Sequence, residues 1–281
     1  MTNALEIRNL TKNYKDFSLE NLNLTLPSGC IMGLIGENGA GKSTTIKLIL
    51  DMIKRDSGTI TILGRDNREN LRLTKEDIGV VPDEIGISEM LNAKKVGNIM
   101  RHTFKNWDDD VYRSYLDRLG VPIDKKFKAL SRGMKMKLGI AIALSHHPKL
   151  LILDEATSGL DPVVRDEVVD MFSDFTRDEN HSVLISSHIV SDLEKLCDYI
   201  AFLHKGRLLL CEEKDVLRDE YRIIRGSKEE IARVSDSAVI GEKVTPYGVE
   251  AIVRRDAVPS GMDAGSIDIE QLFIFMVKKE V

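Results

Sequence analysis

Apolar and polar residues alternate over Leu5 to Leu10 and again over Leu22 to Leu26, with a turn near Lys15–Asp16 between them. That period of two predicts a pair of half-buried antiparallel strands. Cys30 to Ile35 is continuously apolar, as a buried strand requires, while Thr44 to Ile53 places Ile46, Leu48, Ile49, Leu50 and Ile53 on a packed helix. Asp56–Ser57–Gly58 marks a turn before a short strand at Thr59 to Leu63, and Ile78 to Val81 is a further strand ended by Pro82. Helical periodicity then dominates from Leu91 to Ser145. Asp108 caps one helix there, Val111, Tyr115, Leu116 and Leu119 share its face, and Gly120 and Pro122 break it.

Strands resume at Leu150 to Leu153 and Val183 to Ile185, with a helix between them that starts at Pro162, is capped by Asp161 and runs to about Arg177. Tyr199 to Leu203 and Arg207 to Leu210 predict a hairpin around Lys205–Gly206. Past about Asp215, Tyr221 to Ile224 and Val249 to Val253 read as strands. Asp268 and Gln271 form a capping pair for a last helix. Its face of Ile269, Leu272, Phe273, Met276 and Val277 needs a partner, in this chain or another.

One stretch turns this α/β pattern into chemistry. GENGAGKST, Gly36 to Thr44, fits the phosphate-binding loop and stands between a predicted strand and a predicted helix. Gly36, Gly39 and Gly41 permit close backbone approach, so the N–H groups of Asn38, Ala40 and the first helical turn can face phosphate oxygens. Lys42 is placed to reach the β- and γ-phosphates, and Ser43 to bind Mg²⁺. Downstream, the apolar run from Leu150 delivers Asp154 and Glu155 at its end. Asp154 then serves the metal, and Glu155 takes a proton from, or orients, the water attacking the γ-phosphate. Tyr14 either stacks on a nucleobase or fills the flank of the sheet, and His188 is a cap, a surface residue or a functional one.

Composition narrows the class. The chain has 281 residues, 42% hydrophobic and 30% charged, which is usual for a soluble protein of one large domain, or one with a small appendage. No apolar run approaches the roughly 18 residues that span a bilayer. MTNALEIRNL lacks the features of a secretory signal. Cys30, Cys197 and Cys211 have no zinc-type spacing and read as buried thiols of a reducing cytoplasm. A net charge of −5 counts against general nucleic-acid binding.

Taken in order, Tyr14, GENGAGKST, VVPDE, LSRGM, LLILDE, SGLD and His188 resemble the ATP-binding subunit of an ABC transporter, over roughly residues 3 to 215. The resemblance implies a P-loop NTPase of the ABC ATPase fold in residues 1–215, with an antiparallel β subdomain and an inserted helical subdomain at about 84–145. Residues 216–281 are left as a small C-terminal α+β extension that packs on the main domain or on a second subunit. By resemblance Tyr14 stacks on adenine, Glu155 is the catalytic glutamate, and His188 is the switch histidine at the γ-phosphate. ATP and Mg²⁺ are the implied cofactors.

The signature segment Leu130 to Met134 keeps Ser131 and Gly133 but has Arg132 and Met134 where the family usually has glycine and glutamine. In the family this segment meets ATP held by a second subunit, and Asp161 resembles the aspartate that crosses the dimer interface. Asp83 replaces the usual glutamine that senses metal and water, with Glu84 beside it as a possible substitute. The ALSRGMKMKL form looks most like bacterial type-2 exporters, whose relatives move antibiotics, antimicrobial peptides or amphipathic peptide toxins.

The implied partners are an integral-membrane subunit, docked on residues 83 to 115, and a second ATPase subunit, identical or paralogous. Nucleic acid is not an implied partner. The implied location is cytoplasmic, on the inner face of the membrane. The competing class is a soluble ABC ATPase acting on a macromolecular partner. Ribosome-acting relatives carry two cassettes and DNA-repair relatives long coiled-coil arms; this sequence has one cassette and no sustained heptads.

Overall fold

The computed structural model describes residues 3–69, 75–157 and 159–279. Strands β1 (Asn3–Asn13), β2 (Ser18–Pro27), β4 (Ser57–Ile62) and β5 (Arg65–Asp66) form an antiparallel sheet in the order β2-β1-β4-β5. The first two strands are the expected hairpin, closed by the Tyr14 amide donating to the Phe17 carbonyl at 2.8 Å.

The central sheet holds β3 (Ile31–Ile35), β6 (Ile78–Val81), β7 (Leu150–Asp154), β8 (Ser182–Ser187), β9 (Tyr199–His204) and β10 (Arg207–Glu213) in the order β10-β9-β3-β8-β7-β6. All neighbours in it are parallel except β10, which returns antiparallel on β9. Every residue of β3, β7 and β8 is buried, which is why Ile31–Ile35, Leu150–Leu153 and Val183–Ile185 within them read as apolar runs instead of alternating ones.

Helix α1 (Lys42–Ile49) follows the glycine-rich loop directly. It starts and ends earlier than the predicted Thr44 to Ile53. Gly41, at φ 114°, turns the loop into the helix, and Asp51, at φ 50°, takes the chain out of it.

Between β6 and β7 lie α2 (Ala93–Thr103), α3 (Asp109–Arg118) and α4 (Arg132–Leu144). Each has a side-chain cap: Asn92 Oδ1 accepts from Lys95 N at 3.0 Å, Asp108 Oδ1 from Val111 N at 3.0 Å, and Ser131 Oγ from Met134 N at 3.2 Å. Helix α5 (Pro162–Phe175) is capped by Asp161 in the same way, with Val164 N at 3.1 Å.

Two large cores cover the two faces of the central sheet. On one, Met32, Leu34, Ile152 and Leu184 meet the antiparallel sheet and Ile46, Leu48 and Ile49 of α1. On the other, Leu151, Leu153, Val183 and Ile185 meet the helices.

This second core also takes in the C-terminal residues. There α6 (Val190–Leu196), α7 (Lys214–Glu220), β11 (Tyr221–Gly226), α8 (Lys228–Ile231), β12 (Val239–Thr245), β13 (Gly248–Arg254), β14 (Ala264–Gly265) and α9 (Ile269–Lys279) complete the described chain. The last sheet runs β12-β13-β11-β14. Leu272, Phe273, Phe275 and Val277 of α9 join Leu193 and Phe202 in one cluster, and the Phe202 and Phe273 rings lie 5.1 Å apart. The apolar face of the last helix therefore finds its partner within this chain. Glu194 of α6 adds a polar tie: its Oε1 accepts from Arg218 Nη2 at 2.8 Å and from Ile269 N at 3.3 Å.

Cys197 is buried and Cys30 and Cys211 are half-buried, all three as free thiols. Burial raises each of them, Cys211 to about 11, so they are inert side chains at neutral pH.

Candidate functional site

The carboxyl ends of β3, β7 and β8 converge, and each delivers a loop to one cleft of about 700 Å³. Its lining includes Glu37, Asn38, Gly39, Gly41, Lys42, Ser43, Thr44, Asp83, Glu155 and His188. Asp16, Phe17 and Arg132 complete that wall. Ala40 is buried beneath the loop, and Gly36 is buried where it leaves β3.

Lys42 is 6% exposed and curls back over the loop, donating from Nζ to the Gly36 carbonyl at 2.7 Å. Its Nζ also stands 3.4 Å from Glu155 Oε1. Glu155 follows β7 in the left-handed region, at φ 53°, a conformation a glutamate adopts only when its surroundings impose it. The imposing group is β8: the Glu155 amide donates to the Ser186 carbonyl at 3.1 Å and to Ser186 Oγ at 3.2 Å. The other Glu155 oxygen, Oε2, lies 2.7 Å from His188 Nδ1. Ser187 Oγ accepts from Ile189 N at 2.9 Å and fixes the turn that carries His188. One carboxylate thus bridges a buried lysine and a half-exposed imidazole.

Asp154, the last residue of β7, is buried, and its Oδ1 accepts from Ser186 Oγ at 2.6 Å. Ser186 was not singled out in the sequence, although it holds both the Asp154 carboxylate and the Glu155 amide. Among the described residues, no group of three or more His, Cys, Asp or Glu gathers as a metal nest. Mg²⁺ takes one or two protein oxygens and completes its shell with phosphate and water. Ser43 and Asp83, both in the cleft lining, and Asp154, buried beside Ser186 outside that lining, are oxygen donors of that kind.

Tyr14 lies on the rim, outside the cleft lining. It is 47% exposed, with Lys12 Nζ 5.3 Å over its ring and the Phe17 ring 6.5 Å away. Phe17, which the sequence gave no reason to single out, reaches inward: a Cβ on Gly41 would come within 2.9 Å of its Cζ. Ser131, Gly133 and Asp161 also lie outside the cleft lining. Ser131 and Asp161 cap α4 and α5, and a Cβ on Gly133 would sit 3.8 Å from the Gly159 carbonyl. Ser158, the first residue of SGLD, lies outside the described residues.

Residues 19–158 match the ABC transporter family. The lantibiotic transport ATP-binding protein SrtF of Streptococcus pyogenes is 39% identical over 215 residues, covering 75% of this chain and 91% of that protein. This chain belongs to the ABC transporter ATP-binding proteins. The bacitracin transport ATP-binding protein BcrA of Bacillus licheniformis is 37% identical, over 74% of this chain and 69% of its own length. A solved structure described as the ATP-binding subunit of an ABC transporter superimposes with a TM-score of 0.69 at 26% identity, over 76% of this chain and 92% of that one. This chain is accordingly the ATP-driven subunit of a transport system. Among the described residues, no helix is long and apolar enough to cross a membrane.

Proposed function

We propose that this chain powers the export of a peptide, a peptide antibiotic or a similarly amphipathic molecule, working on the inner face of the cell membrane through a separate membrane subunit. The observation that carries the motor reading is the Lys42–Glu155–His188 chain of contacts at the foot of the phosphate loop. The names of SrtF and BcrA support the cargo class, and they favour transport over a soluble macromolecular role.

In this reading Lys42 and the loop amides of Gly36 to Thr44 hold the triphosphate, and Tyr14 stacks on the base. Ser43, Asp154 and Asp83 supply oxygens for Mg²⁺, which when bound offsets charge on the phosphates. Glu155 accepts a proton from the attacking water, and His188 holds that carboxylate in place and contacts the γ-phosphate. Ser131, Gly133 and Asp161 serve a second ATPase subunit, identical or paralogous. The start of α4, capped by Ser131, has free amide groups that favour an anion, which supports that assignment.

The membrane subunit docks in a second cleft of about 480 Å³, walled by Ile49, Leu50, Met52, Val80, Thr103 and Phe104. Its lining is largely apolar, as a docked helix requires. Only Thr103 and Phe104 come from the stretch 83 to 115 that the resemblance suggested. The remaining walls come from the end of α1 and the residues just after it, from β6, and from Ile62, Asn67, Lys75 and Glu76, so docking bears on the helix that begins at Lys42.

Glu155→Gln tests the reading. With ATP and Mg²⁺ this variant retains nucleotide, hydrolyses it roughly 10²–10⁴-fold more slowly, and accumulates as a dimer on sizing with light scattering. Monomers only, together with undiminished hydrolysis, would overturn it.

A further inference from the structure

Two residues that depart from the family pattern, Asp83 and Arg132, are bonded to each other. Arg132 Nη2 donates to Asp83 Oδ1 at 3.0 Å, across 49 positions of sequence. The pair is the wall shared by two clefts: the nucleotide cleft and a neighbouring one of about 400 Å³ lined also by Glu84, Ile85, Phe127, Lys135 and Met136. Glu84 lines only the neighbouring cleft, so Asp83 is the strand-end carboxylate that meets the nucleotide.

Three segments meet at this bond. The Arg132 side chain lies along Gly159, where a Cβ would come within 3.2 Å of its Cδ. The loop carrying Asp83 is clamped to α4, because Ile85 occupies the space of the missing side chain on Gly139, 2.5 Å from where a Cβ would stand. Both members of the pair are well exposed, at 62% and 45%, so the bond is weak and exchangeable.

We propose that the Asp83–Arg132 pair is a latch that Mg²⁺–ATP opens by exchanging its partners. This rests on the nucleotide reading given above. A triphosphate entering the cleft would be repelled by a bare Asp83 carboxylate; paired with Arg132, that charge is offset. Mg²⁺ and its water shell then give Asp83 a stronger counter-charge. The guanidinium is released beside a polyphosphate, whose oxygens its planar fork of donors fits. Lys135, the other cation of the neighbouring cleft, is held over the Phe127 ring at 4.9 Å and stands apart from this exchange. Opening the latch frees the start of α4 from the end of β6, so the arrival of metal is felt at the signature segment.

The test is titration of the full chain with a fluorescent, non-hydrolysable ATP analogue, with EDTA and across a Mg²⁺ series. Arg132→Gln should lower the Mg²⁺ needed for half-saturation about two- to fivefold, and should weaken metal-free binding by a similar factor. Asp83→Asn should strengthen metal-free binding and shrink the stimulation by Mg²⁺. In the Asp83→Asn background, Arg132→Gln should no longer change the Mg²⁺ requirement. Analogue binding as in the parent chain with an unchanged Mg²⁺ requirement in Arg132→Gln would overturn the latch alone. So would an equal shift in both backgrounds. Absence of analogue binding by the unsubstituted chain would overturn the nucleotide reading, and the latch with it.

Discussion

Glu155 Oε2 and His188 Nδ1 stand 2.7 Å apart, the one at the end of β7 and the other just past β8. Two adjacent parallel strands therefore present one hydrogen-bonded unit to the cleft. The proposal that this unit handles the attacking water gives a direct prediction. His188→Ala should lower single-turnover ATP hydrolysis by about 10²-fold or more, with nucleotide affinity within a few-fold of the parent. Rapid-quench kinetics alongside equilibrium binding separate the two effects, and a variant that only binds more weakly would remove His188 from the chemistry.

Tyr14 and Phe17 should behave differently although their rings are neighbours. Tyr14→Ala removes an exposed stacking surface, costing about 1 kcal/mol, or roughly fivefold in ATP affinity, while leaving the affinity for inorganic triphosphate alone. Phe17→Ala removes the ring that packs against Gly41, so it should weaken ATP and triphosphate alike. Competition titrations with both ligands check the pair; equal losses for Tyr14→Ala would dismiss its role at the base.

Acid should destabilise the fold through His146. Its ring is buried, stacked on Phe104 at 4.0 Å, with Nδ1 donating to the Glu76 carbonyl at 3.0 Å. Burial lowers its proton affinity below the usual imidazole value of 6.5. In the window below 6.5 the unfolded chain binds the proton and the folded chain does not, so stability falls as pH falls. Melting temperature should therefore drop between pH 7.5 and pH 5.5, and more shallowly in His146→Phe. Parallel slopes would rule His146 out as the source.

Phe273→Ala should cost about 3 kcal/mol, because the ring packs on Phe202 of the central sheet. Urea unfolding should show one transition that moves as a whole. A separate early transition would mean that the last residues fold independently of the sheet.

Much of this was legible because it is local. The apolar run Ile78 to Val81 is the whole of β6, and the capping roles of Asp108, Asp161 and Asp268 depend on neighbours three residues away. The loop from Gly36 to Thr44 carries its own conformational rules in its glycines. What stayed hidden is tertiary. β12 has few apolar residues to mark it, and its Gly241 is required by contact with the Phe275 backbone, 2.5 Å from a would-be Cβ. Ser186 meets Asp154 from 32 residues away, and no periodicity encodes the left-handed turn at Glu155. Asp83 and Arg132 each looked like a lone departure from a pattern, whereas side by side they are opposite charges that account for one another.

The tie at Glu194 also bears on the segment that carries His188. Helix α6 begins two residues after His188, is only seven residues long and has no side-chain cap at its start. A helix that short is not stable alone. It is held by Leu193 in the second core and by Glu194, which grips Arg218 on one side and the first amide of α9 on the other. The C-terminal residues thus splint the short helix that follows His188.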